Sequence, residues 1–178
     1  MALTTTLVSL AFANTVGITV VLVPYLAFLG LTTALALTDL AAFRIVDRLN
    51  IRGSIVVAVL LALAAAIEGN LPAFVRGLGG AAAYFGGTTL LFLIAGGRGF
   101  GAGDVKLAPQ LGLFTAYLGW GVLGWAVLST ALIGGVLALV LVLSGAGRDA
   151  ELPYGPPMII GAWLAIALVG VGAIPVPS

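Results

Sequence analysis

The sequence contains no cysteine and no histidine, and only 7% of its 178 residues are charged. Without cysteine and histidine, thiol nucleophiles, disulfides, zinc sites of the usual kind and imidazole bases are excluded. Acid–base chemistry is left to six carboxylates, four tyrosines and a few cations. No basic run predicts nucleic-acid binding, and the first residues lack the basic segment expected of a cleaved signal peptide.

Apolar residues make up 62% of the chain, and the mean hydropathy is +1.27. Since soluble domains have about 25% charged residues, this composition indicates an integral membrane protein embedded in a lipid bilayer. We predict an all-α membrane protein, a bundle of about six transmembrane helices. It is expected to form a single domain over residues 1–178, with residues 1–15 either at the membrane interface or in a further span, which would change only the side of the N-terminus.

We assign helices to uncharged runs of the sequence, because roughly 20 apolar residues are needed to cross a bilayer. The first helix is expected over residues 16–38 with a kink at Pro24, and the last over residues 158–174. Gly119 is expected to divide the long uncharged run in the second half into a short helix and a longer one. Small residues between positions 79 and 87 predict close helix packing in the third span.

Basic residues are unevenly divided between the two sides of the predicted bundle. Arg76 falls on one side, and the other side holds the remaining six: Arg44, Arg48, Arg52, Arg98, Lys106 and Arg148. The positive-inside rule predicts that this second side faces the cytoplasm. Asp39 and Asp104 border predicted helices on the same side.

Asp39 ends the first predicted helix, and Asp104 follows a glycine-rich run that begins at Gly99. A carboxylate at a membrane span is costly and marks a functional-site candidate. Two facing carboxylates cannot both ionise cheaply, so one keeps a proton while the other can take a proton from water. This aspartic-protease arrangement is one interpretation. A small transporter whose paired aspartates bind a cation or relay protons is the alternative, and an assembly subunit in which both are dispensable is a third.

Three segments resemble a known family. Gly101-Ala102-Gly103-Asp104-Val105-Lys106-Leu107 is similar to the GxGD signature of the type IV prepilin peptidases, which are membrane aspartic proteases. The segment that begins at Asp39 resembles the family's other catalytic segment, with Val46 where the family commonly has proline. Pro153-Tyr154-Gly155-Pro156 is similar to the family's late Pro-Phe/Tyr-Gly-Pro element. Because the chain is short and lacks cysteine, it resembles the peptidase-only members without a methyltransferase region.

The resemblance implies a GxGD aspartic protease fold, with Asp39 and Asp104 as catalytic residues and no metal or organic cofactor. The implied supporting or substrate-binding residues are Gly101, Gly103, Lys106, Pro153, Tyr154 and Gly155. It also implies a pilin-like precursor substrate, whose short basic leader precedes an apolar helix. The enzyme would lie in the cytoplasmic (inner) membrane of a prokaryote with its site facing the cytoplasm.

Overall fold

The computed structural model describes residues 19–42, 47–94, 96, 101–144 and 154–174, so residues 1–15 lie outside the described part. The described residues form six α-helices and no strand, which confirms the all-α prediction for this part of the chain. The helices are α1 (Leu22–Ala42), α2 (Asp47–Ile67), α3 (Leu71–Ile94), α4 (Ala102–Leu118), α5 (Trp120–Leu143) and α6 (Gly155–Gly170).

Four of these helices contain a stretch long and apolar enough to cross a membrane, namely α1, α2, α3 and α5. The α6 helix is apolar but shorter. These outward-facing apolar helices identify the chain as an integral membrane protein. The predicted break at Gly119 is confirmed, since α4 ends immediately before this residue and α5 begins immediately after it.

The short α4 helix forms the centre of the bundle, and every residue from Gln110 to Leu118 is buried. The Phe114 ring stacks on Phe28 of α1, with ring centroids 4.1 Å apart. The Tyr25 hydroxyl of α1 donates a hydrogen bond to the Phe114 carbonyl oxygen at 2.7 Å. This pairing satisfies a buried hydroxyl that would otherwise destabilise the apolar interior.

Helix α3 packs against α4 through glycines. A Cβ at Gly80 would contact the Ala116 side chain and lie 2.7 Å from the Gly112 carbonyl oxygen, so the two backbones meet directly. The predicted close packing is therefore confirmed at Gly80. It is wrong at Gly86 and Gly87, which lie on the exposed surface of α3, where an added Cβ would have no neighbour within 4 Å.

Arg76 lies inside α3, where its side chain has hydrogen-bond partners in the bundle. Its guanidinium donates hydrogen bonds to the carbonyl oxygens of Ala116 and Tyr117, at 2.9 and 2.6 Å. These carbonyls belong to the last turn of α4, where intrahelical donors run out. Arg76 therefore caps α4 at the end of the bundle opposite Asp104.

One predicted kink and two predicted helix boundaries are wrong. Pro24 lies in the first turn of α1, where an N–H would have no partner within the helix. The proline therefore breaks no helical hydrogen bond there, and the reason for the predicted kink is lost. Helix α6 begins at Gly155, since Pro156 also fits a first turn. Helix α1 continues to Ala42, so Asp39 lies in its last turn rather than at its end.

Candidate active site

Helices α1 and α4 run antiparallel. The Phe28 ring lies on Phe114, and the Tyr25 ring lies beside Tyr117, with ring centroids 6.4 Å apart. An earlier residue of α1 is therefore paired with a later residue of α4. Continuing along α1 leads toward the end of the bundle from which α4 starts.

This geometry puts the two predicted catalytic aspartates at one level of the bundle. At 1.5 Å per residue, Asp39 lies about 16 Å beyond Phe28 along α1. In the same direction, Asp104 lies about 15 Å from Phe114 along α4. The aromatic stack between α1 and α4 thus sets the register that brings the two carboxyl groups to the same level of the bundle.

Both carboxyl groups are buried, with Asp39 6% exposed and Asp104 5% exposed. Asp104 belongs to the first turn of α4, outside the four candidate membrane spans. Burial raises the pKa of Asp104 to about 6, a hydrogen bond from Gly101 opposes this rise, and the neighbouring Asp39 charge adds to it. The two carboxyl groups are therefore close enough for their ionisations to interact.

The two carboxyl groups differ in their hydrogen bonds. Gly101 is the N-cap of α4, and its N–H donates to Asp104 Oδ2 at 2.9 Å. This bond and the positive end of the helix dipole favour the ionised form of Asp104. Asp39 Oδ2 is buried and has no hydrogen-bond partner among the described residues. One carboxyl oxygen is thus fixed by the backbone, and another remains available to a proton, water or substrate.

The glycine-rich segment contributes through its backbone. Gly103 is the second residue of α4, so it belongs to the helix that carries Asp104. Lys106 is exposed, and at about 100° per residue its side chain leaves α4 about 200° away from that of Asp104. The structure therefore brings Gly101 to the Asp104 carboxyl group and directs Lys106 elsewhere.

The Pro153–Pro156 motif lies in part near the same site. Pro153 lies outside the described residues, Tyr154 is the N-cap of α6, and Gly155 is the buried first residue of this helix. The Tyr154 ring packs on Gly134 of α5, where an added Cβ would lie 2.6 Å from Tyr154 Cε2. Burial raises the pKa of Tyr154, and the Asp104 charge raises it further, so Tyr154 lies within electrostatic range of Asp104.

Sequence reasoning missed Tyr84, which belongs to the same group of side chains. It lies on the buried face of α3, and its hydroxyl oxygen is 3.4 Å from Thr130 Oγ1 of α5. Asp104 and Tyr154 are both within electrostatic range of this hydroxyl. The only sequence signal is its position one turn beyond Gly80 on a helix that carries no other polar aromatic residue.

No group of three or more histidine, cysteine, aspartate or glutamate side chains occurs within the described ranges. The chemical groups gathered at this end of the bundle are two carboxyls, a backbone N–H and tyrosine hydroxyls. They can share and transfer protons in a site with low exposure to water.

The sequence profile of the type IV leader peptidase family matches residues 26–145. The chain belongs to this family. Both aspartates and the Gly101–Lys106 segment fall within the match, whereas Tyr154 and Gly155 lie beyond it. The two candidate aspartates therefore lie in the part of the chain that matches the family profile.

The chain is similar to three curated prepilin leader peptidase/N-methyltransferases. It is 35% identical over 78 residues to the protein of Pseudomonas aeruginosa and 36% identical over 78 residues to that of Stutzerimonas stutzeri, covering 43% of this chain and 26% of each relative. It is 33% identical over 75 residues to that of Aeromonas salmonicida, covering 42% of this chain and 25% of the relative. The aligned segment thus spans about a quarter of the length of these curated relatives. No solved structure matches the chain.

Proposed function

We propose that this protein is a membrane aspartic endopeptidase that removes the short basic leader from type IV pilin-like precursors. The observation that carries the proposal is the placement of Asp39 and Asp104 at one level of the bundle, close enough that one charge affects the other's pKa. Family membership and the curated relatives, which are named prepilin leader peptidases, support the same reaction.

In the proposed reaction, the ionised carboxyl group of the pair takes a proton from a water molecule as the water oxygen bonds to the carbonyl carbon of the scissile peptide. The protonated carboxyl group gives its proton to the carbonyl oxygen. Collapse of this tetrahedral species breaks the C–N bond, and the amine nitrogen receives a proton from the pair. One hydroxyl of the tetrahedral carbon returns its proton to the pair as the C=O bond re-forms, so the pair again holds a single proton. The roles of the two aspartates in this coupled pair are not assigned individually.

The proposed substrate fits the position of the aspartate pair near the polar end of the bundle, which is the end that carries Arg48, Arg52 and Lys106. A basic leader followed by an apolar helix has its boundary at the membrane surface, and the scissile bond at that boundary would meet the start of α4. We further propose that this end faces the cytoplasm and that the bilayer is the inner membrane of a prokaryote. The unequal distribution of basic residues supports this orientation.

Purified protein incubated with a pilin-like precursor tests the reaction directly. We expect mass spectrometry to detect a released leader and a shortened precursor, with cleavage at the boundary between the basic and apolar segments. Asp149→Asn serves as the matched carboxylate control and should cleave normally, because Asp149 is predicted to lie in a solvated loop. An intact precursor after incubation with a folded wild-type protein would overturn the proposal.

Reporter fusions test the orientation separately. A reporter after Arg52 or Arg148 should give a cytoplasmic signal, and one after Asn70 should give an exterior signal. Asn70 lies in the turn between α2 and α3, at the far end from the aspartates. A cytoplasmic signal from the Asn70 fusion would reverse the proposed access route.

A further inference from the structure

Two buried amide side chains form a hydrogen-bonded pair between α2 and α4. Gln110 Nε2 donates to Asn50 Oδ1 at 2.8 Å, and Ser54 Oγ lies 3.4 Å from the same oxygen. Asn50 is fully buried and Gln110 is 2% exposed. The pair is enclosed within the protein, where an unmatched polar group is costly.

The amide pair leaves one hydrogen-bonding group open on each side chain. Asn50 Nδ2 and Gln110 Oε1 are buried and have no partner in the described ranges. Turning both amides around would exchange nitrogen for oxygen at each position, so one donor and one acceptor remain open in either assignment. A packing contact alone would be served equally well by two apolar side chains. The open groups therefore point to a ligand with a complementary acceptor and donor.

The amide pair lies deeper in the bundle than the aspartates. Gln110 is about 9 Å beyond Asp104 along α4, in the direction away from the polar end of the bundle. Asn50 belongs to the first turn of α2, which starts from this same end. A chain that passes the aspartates and continues into the membrane would reach the pair between these two helices.

A cleavable substrate has main-chain N–H and C=O groups that could bond to the open acceptor and donor of the amide pair. A scissile peptide bond must leave the helical hydrogen-bond pattern to be attacked, and the unwound N–H and C=O groups then need partners because lipid provides none. An extended chain advances about 3.3 Å per residue, so 9 Å corresponds to about three residues.

We propose that Asn50 and Gln110 bind a main-chain peptide group of the substrate, about three residues from the scissile bond on the side of the apolar helix. This inference rests on the proposed peptidase function. The amide pair holds the unwound strand in register with Asp104, and both amides act as substrate-binding groups. Because both are enclosed, the strand enters by separating the first turns of α2 and α4.

The test replaces both amides with apolar side chains of similar size, in the double variant Asn50→Val/Gln110→Met. Removing both amides leaves neither with an unmatched partner, and the half-buried Ser54 hydroxyl loses only a long hydrogen bond, so the variant should retain its fold and a thermal unfolding temperature close to that of the wild type. Its KM for a precursor peptide should rise about tenfold or more, the loss expected for two hydrogen bonds, with a smaller change in kcat. If valine does not fit, Asn50→Ala/Gln110→Met provides the same test.

Thr115→Val is the matched control on α4. Thr115 is buried, but its hydroxyl donates to the Leu111 carbonyl of its own helix at 2.7 Å, so its loss should leave KM unchanged. A precursor peptide N-methylated three residues beyond the scissile bond gives the complementary change in the substrate. It should be a poorer substrate for the wild type, whereas the double variant should barely distinguish it from the unmodified peptide.

The outcomes separate this inference from the peptidase proposal. If the folded double variant has the KM of the wild type, the amide pair is a helix–helix contact or a water site, and the inference is wrong while the peptidase function stands. If the wild type cleaves no precursor, the peptidase proposal itself fails. Equal discrimination against the methylated peptide by both proteins would also contradict the inference.

Discussion

The hydrogen bond between Gly101 and Asp104 provides a sharp test of how the site controls protonation. Gly101 has φ −79° and ψ 148°, a backbone conformation that proline can adopt. Gly101→Pro therefore removes the N–H that donates to Asp104 Oδ2 at 2.9 Å without requiring a new backbone conformation. Because this bond favours the ionised carboxylate, its loss should raise the pKa of Asp104.

The size of the effect follows from the bond that is lost. A hydrogen bond to a charged group contributes about 1.5–3 kcal/mol, and one pKa unit corresponds to about 1.4 kcal/mol. The pKa of Asp104, which burial raises to about 6, should therefore increase by about one to two in Gly101→Pro. The pH profile of kcat/KM reports groups of the free enzyme, so its limb near pH 6 should move upward.

Gly101→Ala is the control, because alanine keeps the N–H. Its Cβ would lie 3.2 Å from Asp104 Oδ2, a tight contact that a small shift relieves. We expect the limb near pH 6 to remain in place for this variant. The assay is precursor cleavage by purified proteins between pH 4 and pH 9. Superimposable profiles for Gly101→Pro and the wild type would refute the role assigned to this bond.

Two further predictions concern stability. The pKa of Asp104 is raised in the folded protein, so ionisation opposes folding, and stability should fall as pH rises from about 4 to about 6. Asp104→Asn should reduce this dependence, which thermal unfolding in detergent at pH 4 and pH 7 can measure, and an unchanged pH dependence would contradict the prediction. Gly80→Ala should destabilise the protein by about 1–3 kcal/mol, because its Cβ meets the α4 backbone. Gly86→Ala on the same helix should be neutral or slightly stabilising, and equal unfolding temperatures for the two variants would contradict the packing account.

The membrane class could be predicted from sequence because it depends on composition, and the end of the bundle that the two aspartates share because it depends on the number of helices between them. Uncharged stretches of sufficient length indicate helices, and Gly119 interrupts one of them. Asp39 and Asp104 are unusual simply because charged residues are rare in this chain. Counting helix directions then places both at one end, although their common level follows only from the aromatic stack between α1 and α4.

The remaining features depend on contacts that no local pattern encodes. The structural role of Arg76 appears only when the last carbonyls of α4 are placed beside it. Tyr84 and the Asn50–Gln110 pair lie in apolar helices, and their significance appears only when neighbouring helices are brought together. Gly86 and Gly87 are the same residue type as the packed Gly80, but they lie on the surface of α3 that no other described helix covers.

The central claim is that Asp39 and Asp104 act as one coupled pair, and the cleavage rates of Asp39→Asn, Asp104→Asn and the double variant test it most directly. Each substitution keeps nearly the same volume but prevents ionisation. We expect each single variant to lose precursor cleavage and the double variant to be no worse than either one, because residues that act as a unit do not contribute additively. Persistent cleavage by folded Asp104→Asn, present in the membrane at the wild-type level, would contradict the account.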